Sequence, residues 1–134
     1  MIIVPDTNVL ISGFAYPNSI PGKIISAWHH KKIKFTVSYY ILDEFERVMT
    51  RLKNKPFSNE EIRELKDILV FFADIVTPEE SEVLELKDAN DILILGTFVA
   101  SGADYLITGD HHLLELADMF PIVTPQAFWN RFGF

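Results

Sequence analysis

A chain of 134 residues, 49% of them apolar, holds enough hydrophobic matter for one core and is too short for two ordinary domains. The absence of cysteine excludes a disulfide scaffold, a thiolate zinc site and a thiol nucleophile. The net charge of −7 argues against a protein that grips nucleic acid over a broad surface, unless a bound divalent cation supplies positive charge where a phosphate would sit.

In chain order, Ile2 to Val4 reads as a short buried strand ended by Pro5. Asp6-Thr7-Asn8 opens a short helix through about Ser12, with Gly13 as its terminator. A second helix is expected over Ile20 to His30, a strand at Phe35 to Val37, and a long helix from Tyr40 to Leu52. Ser58 with Glu61 three residues on is a capping-box pattern for a helix running to about Ala73. Ile75-Val76 reads as a third strand, followed by an acidic loop through Glu85. Asp88 heads an apolar helix to about Ala100 that Gly102 ends, and Tyr105 to Ile107 is a fourth strand. A helical turn at Leu113 to Leu116, a fifth strand at Ile122-Val123 and a last helix capped by Thr124, with Pro125 at its first position, complete the chain.

Short apolar strands alternating with helices predict an α/β domain with a parallel sheet covered on both faces, spanning 1–134 as one unit. Met1 to Val4 runs into a strand-like stretch with no basic segment before it, so no signal peptide is expected. The longest apolar run, Ile92 to Ala100, is far below the roughly 20 residues that a membrane helix needs, so a cytoplasmic protein is expected.

The acids fall in telling places. In open α/β sheets ligands bind beyond the carboxyl ends of the strands. Asp6 directly follows the first strand, and Asp110 follows the fourth through Thr108-Gly109. Taken singly, each reads first as a helix cap and only second as a catalytic group. The neighbouring His111-His112 face different ways on a helix and do not form a chelating pair. Glu44 lies at the border of the apolar stripe made by Ile41, Phe45, Val48, Met49 and Leu52. A carboxylate there needs a partner, either a salt bridge such as Arg47 or a metal. Asp88 and Asp91 suit the first turn of their helix as cap and dipole partner. That turn also faces the sheet's carboxyl edge, which brings Asp91 toward Asp6 and Asp110. Asp104 precedes its strand and belongs at the far edge. Acids converging on one edge repel unless cations neutralise them, and hard oxygen donors suit Mg²⁺ or Mn²⁺.

The stretches Val4-Pro5-Asp6-Thr7-Asn8-Val9-Leu10, Ser38 with Ile41-Leu42-Asp43-Glu44, Lys87-Asp88-Ala89-Asn90-Asp91 and Ala103 through Asp110 occur in this order. With Thr124-Pro125-Gln126-Ala127-Phe128 they make the whole chain resemble a PIN domain, the fold of many ribonucleases, including the toxin halves of toxin–antitoxin pairs. The resemblance implies a three-layer α/β/α fold with strand order 3-2-1-4-5. It implies a metal-dependent endoribonuclease with RNA as substrate, an antitoxin partner and a homodimer. Matched residue by residue, Asp6, Glu44, Asp91 and Asp110 correspond to the family's acidic quartet, with Asp6 and Asp91 as principal ligands of Mg²⁺ or Mn²⁺, Glu44 binding the metal directly or through water and helping to orient the nucleophile, and Asp110 completing the shell. Asn8 and Thr108 look like supports for those carboxylates, and Asp88 like a further support that is chiefly a helix cap.

Two rival enzymes fail on residues. An aspartate-nucleophile phosphatase needs a second Asp two after the first, where this chain has Asn8. A phospho-receiver needs an acceptor Asp after the third strand, where Val76-Thr77-Pro78 has none. The alternative of another class is a catalytically silent PIN-like module that binds protein or RNA.

Overall fold

A computed structural model describes residues 1–80 and 86–133. Its elements are β1 (Ile2–Pro5), α1 (Thr7–Ala15), α2 (Ile20–His29), β2 (Lys34–Val37), α3 (Tyr39–Arg51), α4 (Asn59–Phe72), β3 (Asp74–Ile75), α5 (Ala89–Ser101), β4 (Tyr105–Ile107), α6 (His111–Leu114), β5 (Ile122–Val123) and α7 (Pro125–Phe132). The five strands form one sheet in the order β3-β2-β1-β4-β5, and every pairing is parallel. This is the α/β architecture and strand order that the sequence predicts.

Parallel strands buried on both faces should be uniformly apolar, and β1 obeys: Ile3 and Val4 are fully buried. The register pairs Ile3 with Phe35 and Tyr105, and Pro5 with Ile107. β1 and β4 therefore end level with one another. Helix α5 lies across β2, β1 and β4, while α1 packs on α2 and α3. The core between these layers is filled by Phe35, Phe45, Ile41, Leu42, Leu95 and Leu106, among others. Trp28 stacks flat on Phe35 at 4.9 Å, closing the core beneath α2. Phe128 of α7 is buried beside Tyr105, so this helix spends its main aromatic residue on the core.

Capping follows the sequence closely. Ser58 and Glu61 make the reciprocal bonds of a capping box. Thr124 accepts from Ala127 N–H, and Gly102 ends α5 in the left-handed conformation at φ +64°.

Gly13 corrects one expectation. It does not stop α1, which runs on to Ala15. A Cβ at Gly13 would sit 2.4 Å from Ile25 Cγ1 and 2.9 Å from the Pro21 carbonyl oxygen, so glycine is there to let α2 approach. In an isolated helix Gly→Ala would gain about 1 kcal/mol. Here Gly13→Ala is expected to destabilise by about 1–3 kcal/mol through overpacking, read as a lower midpoint in thermal denaturation. An unchanged or higher midpoint would mean that α1 and α2 separate without cost.

Smaller differences are at element ends. β2 starts at Lys34, β3 occupies Asp74–Ile75, and α6 starts at His111 because Asp110 caps it. The expected acidic loop lies partly outside the described residues, at 81–85. Among the described residues no helix is long and apolar enough to cross a membrane.

Candidate active site

Because β1 and β4 end in register, the residues after them meet. Asp6 N–H donates to the Ile107 carbonyl at 2.9 Å, which locks the two strand ends together. The Thr108 hydroxyl donates to Asp6 Oδ2 at 2.6 Å and accepts from Asp110 N–H at 2.9 Å. One side chain thus sets the positions of two acids. Both Asp6 and Thr108 are buried, Asp6 to 4% exposure.

Asp6 stands at the N-cap position of α1, but its side chain makes no capping hydrogen bond. Its carboxylate is turned to Thr108 instead. Burial raises its pKa from the ordinary value, opposed in part by the Thr108 bond, and the charges of Asp110 and Glu44 add to the rise. The cap reading explains where Asp6 sits but not where its charge points.

Asp91, in the first turn of α5, is 3% exposed. Its position depends on a buried link that sequence reasoning passed over. The Thr97 hydroxyl donates to Ser38 Oγ at 2.8 Å, and Ser38 in turn caps α3 by accepting from Ile41 N–H. This pins α5 to the carboxyl end of β2. Burial, followed by the charges of Asp110, Asp88 and Asp6, pushes the Asp91 pKa up to about 6.

Glu44 is half-buried at 14% side-chain exposure, with Arg47 at 3.7 Å. The salt-bridge reading is therefore realised in part. The carboxylate is also held from two further sides. With its amide nitrogen facing Glu44, Asn90 donates to both carboxylate oxygens, at 3.1 and 2.6 Å. The Tyr40 hydroxyl donates to Glu44 Oε2 at 3.3 Å. Burial and the neighbouring Glu44 push the Tyr40 phenol up to about 12, so it remains a donor at neutral pH. Neither Tyr40 nor Asn90 was singled out from sequence. Tyr40 was findable, lying four residues before Glu44 on one helix face. Asn90 needed the fold, being 46 positions away in the chain.

Asp88 closes the N-terminus of α5, accepting from Asn90 and Asp91 N–H, in keeping with its cap reading. Asp110 also caps, accepting from His112 and Leu113 N–H. His111 and His112 are exposed. Asn8 is exposed in the first turn of α1; the side chain that holds Asp6 is Thr108's. Asp104 is at the opposite edge, where its carboxylate accepts from Ile2 N–H at 2.7 Å.

Among the described residues no three Asp, Glu or His side chains form a ready-made metal cage. The donor set nonetheless suits a hard divalent cation. Asp6, Asp91 and Asp110 have no lysine or arginine partner among the described residues. The Thr7 hydroxyl beside Asp6 is buried and has no partner among them either. Mg²⁺ keeps several waters and is commonly held by one or two carboxylates plus substrate phosphate, so a finished cage is not required. Two clefts, of about 350 and 860 Å³, flank α2 and contain none of the four acids.

Comparison with known proteins bears on the family and the fold. A family model described as PIN domain matches residues 3–112. An uncharacterized protein of Methanocaldococcus jannaschii is 32% identical over 141 aligned positions, covering 97% of this chain and 90% of its own. A chain in the 2.2 Å structure of VapBC-1 from nontypeable Haemophilus influenzae superposes with a TM-score of 0.64 at 17% identity, covering 94% of this chain and 99% of that one. A chain in the structure of VapBC2 from Rickettsia felis, bound to a DNA fragment from their promoter, gives a TM-score of 0.60 at 18% identity, covering 92% and 97%. At these identities the two structures speak for the fold.

Proposed function

The chain belongs to the PIN-domain family, and from that footing we propose that it is a metal-dependent endoribonuclease that hydrolyses RNA phosphodiester bonds. The observation that carries the reading is buried Asp6, joined through Thr108 to Asp110, with buried Asp91 close enough to feel both charges: three acids on one sheet edge with no lysine or arginine partner among the described residues. Such a group is costly without a cation and suited to holding one. A bound Mg²⁺ or Mn²⁺ would supply Lewis-acid activation of water and charge stabilisation at the scissile phosphate.

Within this reading Asp6 and Asp91 are the principal ligands and Asp110 completes the set. Glu44, clamped by Asn90 and Tyr40, would hold the cation directly or through a water and help orient the nucleophile. Thr108 keeps Asp6 and Asp110 in place, and Asp88 fixes the turn that carries Asp91. The exposed Asn8 is assigned a supporting place at the rim.

The first test is cleavage of a mixed single-stranded RNA and tRNA pool with Mg²⁺ or Mn²⁺. Loss of cleavage on chelation and its return with Mn²⁺ support the reading; silence under both metals favours the catalytically silent binding module.

Thr108 is the sharper probe of the arrangement. Thr108→Val removes the donor to Asp6 and the acceptor for Asp110 at nearly constant volume, and is expected to lower activity about 10–100-fold. Thr108→Ser keeps the hydroxyl and should retain most of the rate. Equal loss in both variants would mean that shape, not the hydrogen bonds, is what matters there.

Chain length, family and the likeness to the two VapBC structures support a toxin role, with an antitoxin partner, a homodimer and a cytoplasmic setting. Expression should then arrest growth, and Asp6→Asn should relieve the arrest; arrest that persists in the variant removes the toxin reading. Sedimentation of the purified chain tests the homodimer.

A further inference from the structure

The acidity of this chain is unevenly distributed. Between Asp6 and Asp43 there is no Asp or Glu at all, yet this stretch carries Lys23, Lys31, Lys32, Lys34, His29 and His30. The rest of the molecule holds all 19 acids against the other eight of the 12 Lys and Arg. A net charge of −7 therefore conceals a basic stretch running through α1, α2 and β2, which an acid, Asp74, borders in the larger cleft beside Lys31 and Lys34.

The fold concentrates that charge further. Lys23, Ser26 and His30 recur along one face of α2, and the turn after the helix brings Lys32 to the same side. That turn is tight, with Lys31 N–H bonded to the Trp28 carbonyl and Lys32 N–H to the Ala27 carbonyl. Together with Trp129 of α7, these residues line the cleft of about 350 Å³. None of the stretch's lysines makes an ion pair among the described residues, whereas Lys66 and Arg47 elsewhere do. His30 Nδ1 donates to the Ser26 carbonyl at 2.8 Å, leaving its other ring nitrogen for a ligand. Unpaired cations around a hydroxyl and an indole match the chemistry of a phosphodiester with a stacking base.

We infer that the α2–α7 cleft, lined by Lys23, Ser26, His30, Lys32 and Trp129, is a docking site for the backbone of single-stranded RNA, separate from the acidic edge. The choice of polyanion rests on the ribonuclease reading. The cleft answers the difficulty that the net charge raises. An acidic catalytic edge repels RNA, and a basic cleft on the same small domain restores the long-range attraction that brings the substrate in.

The test is fluorescence anisotropy of a labelled single-stranded RNA 12-mer in EDTA, over a series of salt concentrations. Wild type is compared with Lys23→Gln/Lys32→Gln and with Asp6→Asn, and each protein is also assayed for Mn²⁺-dependent cleavage of an unlabelled dinucleotide. Both lysines are exposed, so the double variant should fold, which circular dichroism checks. The expected result is at least about a 10-fold loss of affinity in the double variant, with a salt dependence shallower by roughly 1.4, about 0.7 per lost phosphate contact. Dinucleotide cleavage should stay intact in the double variant, and Asp6→Asn should bind as wild type does or better. Unchanged affinity and salt slope in the double variant would overturn the inference, as would displacement of the 12-mer by polyglutamate as readily as by polyuridylate, which would make the cleft a site for an acidic protein. A wild type that binds through the lysines but cleaves nothing would sink the nuclease reading and leave the docking site standing. Cleavage with lysine-independent binding would do the reverse.

Discussion

On the ribonuclease proposal, Asp6→Asn and Asp91→Asn are each expected to lower metal-dependent RNA cleavage by on the order of 10²–10³-fold, the usual cost of removing one preorganised electrostatic group from a catalytic site. The two sites should fail for different structural reasons. Asp6 is held by the Thr108 hydroxyl at the end of β1, and an amide there keeps its shape but loses the charge that attracts a cation. Asp91 is buried in the first turn of α5 and faces the charges of Asp110, Asp88 and Asp6. Its amide replacement has no charge to desolvate or repel. Asp91→Asn is therefore expected to be nearly inactive and at the same time more stable than wild type at neutral pH without metal. A variant that loses both activity and fold would assign Asp91 to structure. A variant that loses neither would remove it from the site. Circular dichroism and a cleavage assay on the same preparation separate these outcomes.

The second large effect is on stability. The Asp91 pKa rises from 3.8 to about 6 on folding, and the Asp6 pKa is raised as well. An acid with a raised folded pKa binds its proton longer in the native state than in the unfolded one. Between pH 4 and 6 the native protein thus carries more protons, and its stability falls as pH rises. The favourable term is fully present below about pH 4 and is lost by the time the pH passes 6. For Asp91 the difference of about two pKa units corresponds to roughly 3 kcal/mol.

Urea unfolding in EDTA from pH 4 to 8 should show this decline. The Asp91→Asn variant should show a flatter profile. Mg²⁺ or Mn²⁺ should act in the opposite sense at pH 7.5. A cation present at ten times its dissociation constant adds about 1.4 kcal/mol to the native state. A flat pH profile in wild type, or no response to either metal, would mean that the acids find their compensation elsewhere.

Much of this molecule is readable along the chain because its signals are local. Helix N-caps at Ser58 and Thr124, the left-handed stop at Gly102 and the apolar strands follow from interactions over three or four residues, and sequence displays those directly. The alternation of strand and helix then implied a parallel sheet, and a parallel sheet implies that Asp6 and Asp110 share an edge while Asp104 takes the other. The missed features come from contacts between distant segments. Gly13 looked like a helix stop because the approach of Pro21 and Ile25 cannot be seen in the pattern around it.

The sequence by itself determined the fold class, the edge to which the acids belong and the total charge. Only the tertiary structure decided which acids are buried together, that Thr108 joins Asp6 to Asp110, that Asn90 and Tyr40 clamp Glu44, and that Lys23 and Lys32 meet Trp129 in a cleft. The physical reason is the range of the interactions. Caps and periodicity are written within a turn or two of chain. Hydrogen bonds and convergent charge depend on ångström distances between residues as far apart as Asp6 and Thr108, and those distances exist only once the sheet has brought the strand ends together.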